Sequence, residues 1–195
     1  MLSLRKPSNE TIRRFLSAQS ALAFSYQEVG ATATELPTSY VVDHTRVKLG
    51  EGVGVFDAAC GELQNWQQFH LGWLEAWPND TPIREGEAVV VLARAFGFWW
   101  LNASRIVYVV DKQTDSLARF GFAYGTLPGH VEAGEERFLI EWDRADDSVW
   151  YDILAFSRPR HFLSRVGKRQ VRWMQKRFGL DSTAVMMQAV ENTKW

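Results

Sequence analysis

At 195 residues, with 46% hydrophobic and 13% aromatic content, the chain has the size of one domain (residues 1–195) and can bury a core without disulfides or metal. Its one cysteine, Cys60, excludes an intrachain bridge, MLSLRKPSNETIRRF lacks the apolar stretch of a signal peptide, and the longest apolar run, near Phe96 to Leu101, is far short of the roughly 20 residues of a membrane helix, so a cytoplasmic setting is expected. The net charge of −1 hides a basic interval: no acid lies between Asp152 and Asp181, which reads as a solvated helix face or as a contact for an anionic partner.

In chain order, Ser8 to Phe24 places Ile12, Phe15, Leu16, Gln19 and Leu22 at helical spacing and predicts an amphipathic helix. FSYQEVGATATELPTSY mixes β-branched residues with Gly30 and Pro37, a strand or extended arm and then a loop. Ser39 to Gly50 is rich in valine and threonine and predicts a strand. From Phe56 to Trp77 the apolar residues recur every three or four positions up to Pro78, which predicts two short helices broken at Gly72. Strands are then predicted over Ala88 to Phe96, Phe98 to Leu101, Arg105 to Asp111 and from Leu117 onward, with KQTDS as a turn. Glu135 to Arg144 and Ser148 to Ser157 alternate apolar and polar on either side of RADDS, a hairpin. After Pro159 a long helix carries Phe162, Leu163, Val166, Gln170, Trp173 and Met174 on one face, with Gly179 as its stop and a shorter helix over Ser182 to Val190.

Hairpin-linked strands with segregated helices make the class α+β. The order of elements resembles the helix-grip proteins, START-like and polyketide-cyclase-like (SRPBCC): a curved antiparallel sheet wrapped around a long C-terminal helix, here with two short helices after the first strand and an additional N-terminal helix. That resemblance implies a cavity between sheet and helix. SYQEVGAT (25–32), VDHTRVKLGEG (42–52), AACGELQNWQQFHLGW (58–73), SRIVYVVD (104–111), GFAYGTLPGHVEAGEERF (121–138) and AFSRPRHFLSRVGKRQVRWMQKRF (155–178) together resemble the domain-of-unknown-function family nineteen-ninety, over about residues 8–178. This second resemblance carries no catalytic residues over.

His130, Glu132, Glu135 and Glu136 form H-x-E-x-x-E-E, but the segment, with Gly129 and Gly134, reads as a loop rather than a helix, so no helix face presents the four together and no metal and no cofactor are expected. As acid–base chemistry, His130 with Glu132 or Glu135 as its orienter and Tyr124 as a donor is the candidate arrangement, Tyr124, His130 and Glu135 being the candidate catalytic set. On the first strand, alternation puts His44 and Arg46 on one face and Asp43 and Thr45 on the other, so a cavity-lining cluster of His44, Arg46 and Tyr124 is a further candidate. Nine tryptophans supply core or pocket wall. The expected ligand-contacting set is Tyr124, His130, Glu132, Glu135, His44, Arg46, Trp142, Arg158 and Trp173, with Arg158 also a partner for a carboxylate of the 130s loop. Three readings stand: binding of a small hydrophobic or amphipathic molecule in the cavity; an enzyme using Tyr124, His130 and Glu135 there; or an adaptor for an anionic partner, nucleic acid or membrane surface, through Arg165, Arg169, Arg172 and Lys176.

Overall fold

The structure is a computed structural model; it describes residues 1–160 and 168–193, the side chains of 168 and 169 excepted. Seven strands follow one another across a single antiparallel sheet: β2 (Val41–Glu51), β8 (Ser148–Pro159), β7 (Glu132–Asp143), β6 (Leu117–Thr126), β5 (Phe98–Gln113), β4 (Ala88–Ala95) and β3 (Leu74–Trp77). A two-residue β1 (Leu2–Ser3) pairs with Trp99 and Trp100 of β5. All neighbours from β3 to β8 are joined by short connections, and β2 closes against the last strand. The helix α2 (Val53–Gln64) and a 3-10 turn (Gln67–Phe69) carry the chain from the β2 edge to the β3 edge. The long helix α3 (Lys168–Thr193) lies along the concave face, giving a helix-grip of class α+β.

Strand alternation gives the two faces different coverings. On the convex side, α1 (Asn9–Ser20), capped by the Ser8 hydroxyl accepting from Thr11 N–H, places Ile12 against Val90, Leu92 and Leu101. The loop after it packs Tyr26, Ala31 and Tyr40 on Phe156 and Ala133. On the concave side, Trp66, Phe122, Phe138, Ile140 and Tyr151 form the main core with α2 and with Met186 and Val190 of α3. Phe69 stacks on Phe178 at 5.4 Å and meets Phe138 edge-on at 5.4 Å, closing this filled half of the concave face.

Four expectations are corrected. Residues 24–40 form no strand: Gly30 turns into the left-handed region (φ 86°), and the N–H groups of Gly30 and Thr32 bond the Glu135 carboxylate instead of a strand neighbour. The break after α2 falls at Trp66 rather than at Gly72, and the second short helix is only the 3-10 turn Gln67–Phe69. Trp66 leaves the helical path at φ 56°, its indole N–H donating to Thr81 O at 2.8 Å, and Leu74–Trp77 pairs with β4. The two strands expected over 98–111 are one, β5. Gly179 does not stop the last helix: α3 runs through it, because there the helix crosses so close to β2 that a Cβ would lie 2.8 Å from Thr45 Oγ1. Phe162, Leu163 and Val166 lie outside the described residues.

Gly125 is required for a different close approach. A Cβ there would stand 2.1 Å from the Tyr26 hydroxyl and 2.8 to 2.9 Å from its ring, and that hydroxyl donates to buried Glu135 at 2.7 Å. Gly125→Ala must therefore displace the ring and break the bond, and is expected to cost about 2 kcal/mol of stability. Urea denaturation measures it as a lowered midpoint at unchanged slope, and Tyr26→Ala should remove most of the additional cost of the Gly125 substitution.

Candidate functional site

Between the open half of the concave face and the first three turns of α3 lies a cavity of about 550 Å³. Its apolar wall is built by Phe69, Trp73, Val91, Trp100, Met174 and Phe178. The polar groups gather on the flank formed by β2, β7 and β8. Arg172 of α3 forks onto Asp43, one arm at 2.8 Å. Gln175 donates to Glu132 Oε2 at 2.5 Å and to Ser157 Oγ at 2.8 Å. The Tyr124 hydroxyl donates to Glu136 Oε2 at 2.9 Å. These bonds also hold the start of α3 at its distance from the sheet, where the filled half uses apolar contact.

Burial dominates the titration of this flank. Glu136 keeps surface only toward the cavity; desolvation raises its pKa to about 7 against the Tyr124 bond, helped by the charges of Asp43 and Glu132. Glu132 is raised for the same first reason, opposed by Ser157 and Gln175. Tyr124 is pushed well above the ordinary phenol value by burial and by Glu136, so its hydroxyl stays a donor.

The expected site residues divide between the two faces. Tyr124, His130 and Glu132 line the cavity, with His130 Nδ1 accepting from Glu132 N–H at 3.0 Å. Glu135 belongs to the wall by its backbone neighbourhood, but its carboxylate is spent on the convex side. There it accepts from Tyr26, from Gly30 and Thr32 N–H, and from the Thr32 hydroxyl at 2.5 Å. The expected set of Tyr124, His130 and Glu135 is thus not assembled, because consecutive strand residues face opposite ways. His44 and Arg46 are also convex, both bonded to Asp152, so neither joins Tyr124. Trp142 donates to Asp147, Arg158 covers the Tyr40 ring rather than pairing in the 130s loop, and Trp173 is exposed beneath Arg177.

Of the basic residues expected for an anionic partner, Arg172 is committed to Asp43 and Lys176 is exposed. Arg165 and the Arg169 side chain lie outside the described residues. Among the described residues, no group of three or more His, Cys, Asp or Glu is placed to hold a metal ion, and no helix is long and apolar enough to cross a membrane.

The sequence offers Glu136 only as part of the H-x-E-x-x-E-E run and Asp43 only as a neighbour of His44, and it does not single out Asn102 and Gln175, yet all four line the cavity. The signal for Glu136 was available: it shares its strand face with Phe138 and Ile140, the inward residues of the predicted hairpin. Asp43 had already been separated from His44 by the same alternation. Gln175 carried no such signal, because its partner Glu132 is 43 positions away.

A family model described as a domain of unknown function (DUF1990) matches residues 25–185. A UPF0548 protein of Dictyostelium discoideum is 38% identical over 207 residues, covering 97% of this chain and 96% of the relative. Among solved structures, hypothetical protein jhp0584 of Helicobacter pylori is similar at TM-score 0.50 and 11% identity, over 85% of this chain and 95% of that one, a likeness of fold alone. Human STARD10 aligns at TM-score 0.48 and 12% identity, over 95% of this chain and 80% of that one.

The Glu136 environment has a consequence for stability. An unfolded glutamate titrates near 4.3, so between that value and about 7 the native state holds the extra proton. Stability from this group therefore falls as pH rises through that window. Glu136→Gln removes the penalty and keeps an acceptor for Tyr124. The variant is expected to gain on the wild type by about 2 kcal/mol between pH 5 and pH 8, read from urea midpoints across that range.

Proposed function

We propose that this chain, which belongs to the DUF1990 family, binds a small hydrophobic or amphipathic molecule in the cavity between its concave sheet face and α3. The observation that carries the reading is the cavity itself. At about 550 Å³ it has the size of small-molecule sites, and its mostly apolar wall with a few converging polar groups has their composition. Close packing is the rule in protein interiors, and an unfilled space of this size forfeits contacts that the aromatic half of the same face retains.

Tyr124, His130 and Glu132 are the expected residues that would meet the ligand; Glu136, Asp43 and Gln175 join them. Any proton transfer on a bound molecule falls to Tyr124, Glu136 and His130 rather than to Glu135, whose oxygens are occupied on the other face. Binding is favoured over an anionic-partner role because Arg172, in the middle of the basic interval, is turned to the cavity flank and tied to Asp43.

Ala93, on β4 between Leu74 and Trp100, lines the apolar end of the cavity. Ala93→Phe is expected to weaken binding of a neutral apolar fluorophore, N-phenyl-1-naphthylamine, by about tenfold or more, 1.4 kcal/mol, with little change in urea midpoint. Native mass spectrometry of the freshly purified wild type should detect a co-purifying molecule of a few hundred daltons that Ala93→Phe loses. Equal fluorophore affinity in the two proteins would remove the cavity as the binding site.

A further inference from the structure

The polar flank of the cavity contains a niche whose shape and charge select what kind of polar group a ligand brings. On the concave face, Glu136 of β7 stands beside Ala155 of β8, and Ala155 stands beside Asp43 of β2, all three in one row across the sheet. With neighbouring strands about 4.8 Å apart, the outer two backbones are about 10 Å apart. Between them in the row Ala155 contributes only a methyl group, and Glu136, Ala155 and Asp43 all belong to the cavity wall.

Resting on the binding reading above, we propose that the ligand is an amphipathic amine, its protonated nitrogen seated over Ala155 against Glu136 and its apolar body lying along Phe69, Trp73 and Phe178. Three features of the niche support this. First, its oxygens need donors. Glu136 receives one neutral donor, Tyr124, and Glu132 receives only neutral ones, Gln175 and Ser157; among the described residues neither forms an ion pair. Second, the Arg172 guanidinium is already shared with Asp43 in a forked pair, so Asp43 and Glu132 leave a negative potential around Glu136, which is what raises its titration after desolvation. Third, the three carboxylates are each held by a different donor, Arg172 and Gln175 from α3 and Tyr124 from β6, so they flank a niche rather than converge on one point as metal ligands would. A carboxylate ligand would meet like charge there. An alcohol would satisfy one oxygen without the charge-assisted gain.

Seating an ammonium beside Glu136 favours its ionised form, so binding near pH 6.5 must expel the proton that Glu136 holds. The groups facing Glu136 are Tyr124 of β6, Asp43 of β2, Glu132 of β7, Tyr151 of β8, Arg172 of α3 and, on the same wall, His130. Tyr124 and Tyr151 are raised by burial and keep their protons throughout this range.

The test compares decylamine, decanol and decanoate on the full chain, by displacement of N-phenyl-1-naphthylamine and by calorimetry at pH 6.5 in two buffers of different ionisation enthalpy. Decylamine is expected to bind about tenfold or more tighter than decanol, decanoate weakest, with net proton release for the amine alone. Glu136→Gln should bring decylamine down to the level of decanol and abolish the proton release, while unchanged affinity for N-phenyl-1-naphthylamine reports an intact cavity. Should Glu136→Gln fail to fold, the buffer comparison on the wild type decides by itself. Amine binding no tighter than alcohol, or amine binding without proton release, overturns the amine assignment and leaves the cavity reading standing. Binding of none of the three, nor of the fluorophore, overturns both.

Discussion

The carboxylate of Glu135 lies buried on the convex face with four donors around it, and the layout of both sides of the sheet depends on that arrangement. An ionised group removed from water is tolerated only when its lone pairs are filled. Here the donors come from Tyr26, Gly30 and Thr32, so satisfying one carboxylate also fixes the N-terminal loop on the sheet and accounts for the turn at Gly30. Burial and Glu135 push the Tyr26 phenol far above its ordinary value, which keeps it a donor. Because β7 alternates, anchoring Glu135 outward turns Glu136 inward, where the helix and not the loop covers it.

The two faces then treat their acids differently. On the convex side Asp152 is held below its usual range: burial opposes this, but the bonds from His44 and Arg137 prevail, with Arg46 alongside. Glu141, likewise opposed by burial, is lowered by Arg46 and Arg119. Asp152 and Glu141 are thus matched by cations two strands or fewer away. On the concave side Glu132 and Glu136 are raised, because burial is met by neutral donors. The acids that burial raises are therefore the ones on the cavity wall.

The concave face is itself divided. Phe69, Phe122, Phe138 and Phe178 interlock over the half beneath α2 and the end of α3, with ring centroids 5.4 to 6.2 Å apart. Toward the start of α3 the contacts become polar, and Arg172 and Gln175 span to Asp43 and Glu132 instead of filling the space. The helix thus rests on an aromatic stack at one end and on hydrogen-bonded struts at the other. Trp66 is absorbed into the stack, while Trp73 and Trp100 face the space that the struts keep open.

Local chemistry determined much of this protein from its sequence. The period of two over Phe138, Ile140 and Trp142 and over Val149, Tyr151 and Ile153 specified the β7–β8 hairpin; the Ser8 cap started α1; and the run of strands before a basic helix gave the α+β class. Each of these follows from the preferences of residues a few positions apart. What only the tertiary structure decided rests on partners far along the chain. Gly179 reads locally as a helix stop and becomes a point of close approach only because Thr45 lies beneath it. Trp66, Trp73 and Trp77 read as one helical stripe, until Thr81 and β4 claim them separately. The donor that satisfies buried Glu135 comes from Tyr26, 109 positions away, and the bond that braces the start of α3 comes from Arg172 reaching Asp43 across 129 positions. A residue's own neighbours set its periodicity, but the side that is buried, and against what, is set by the element that arrives to cover it.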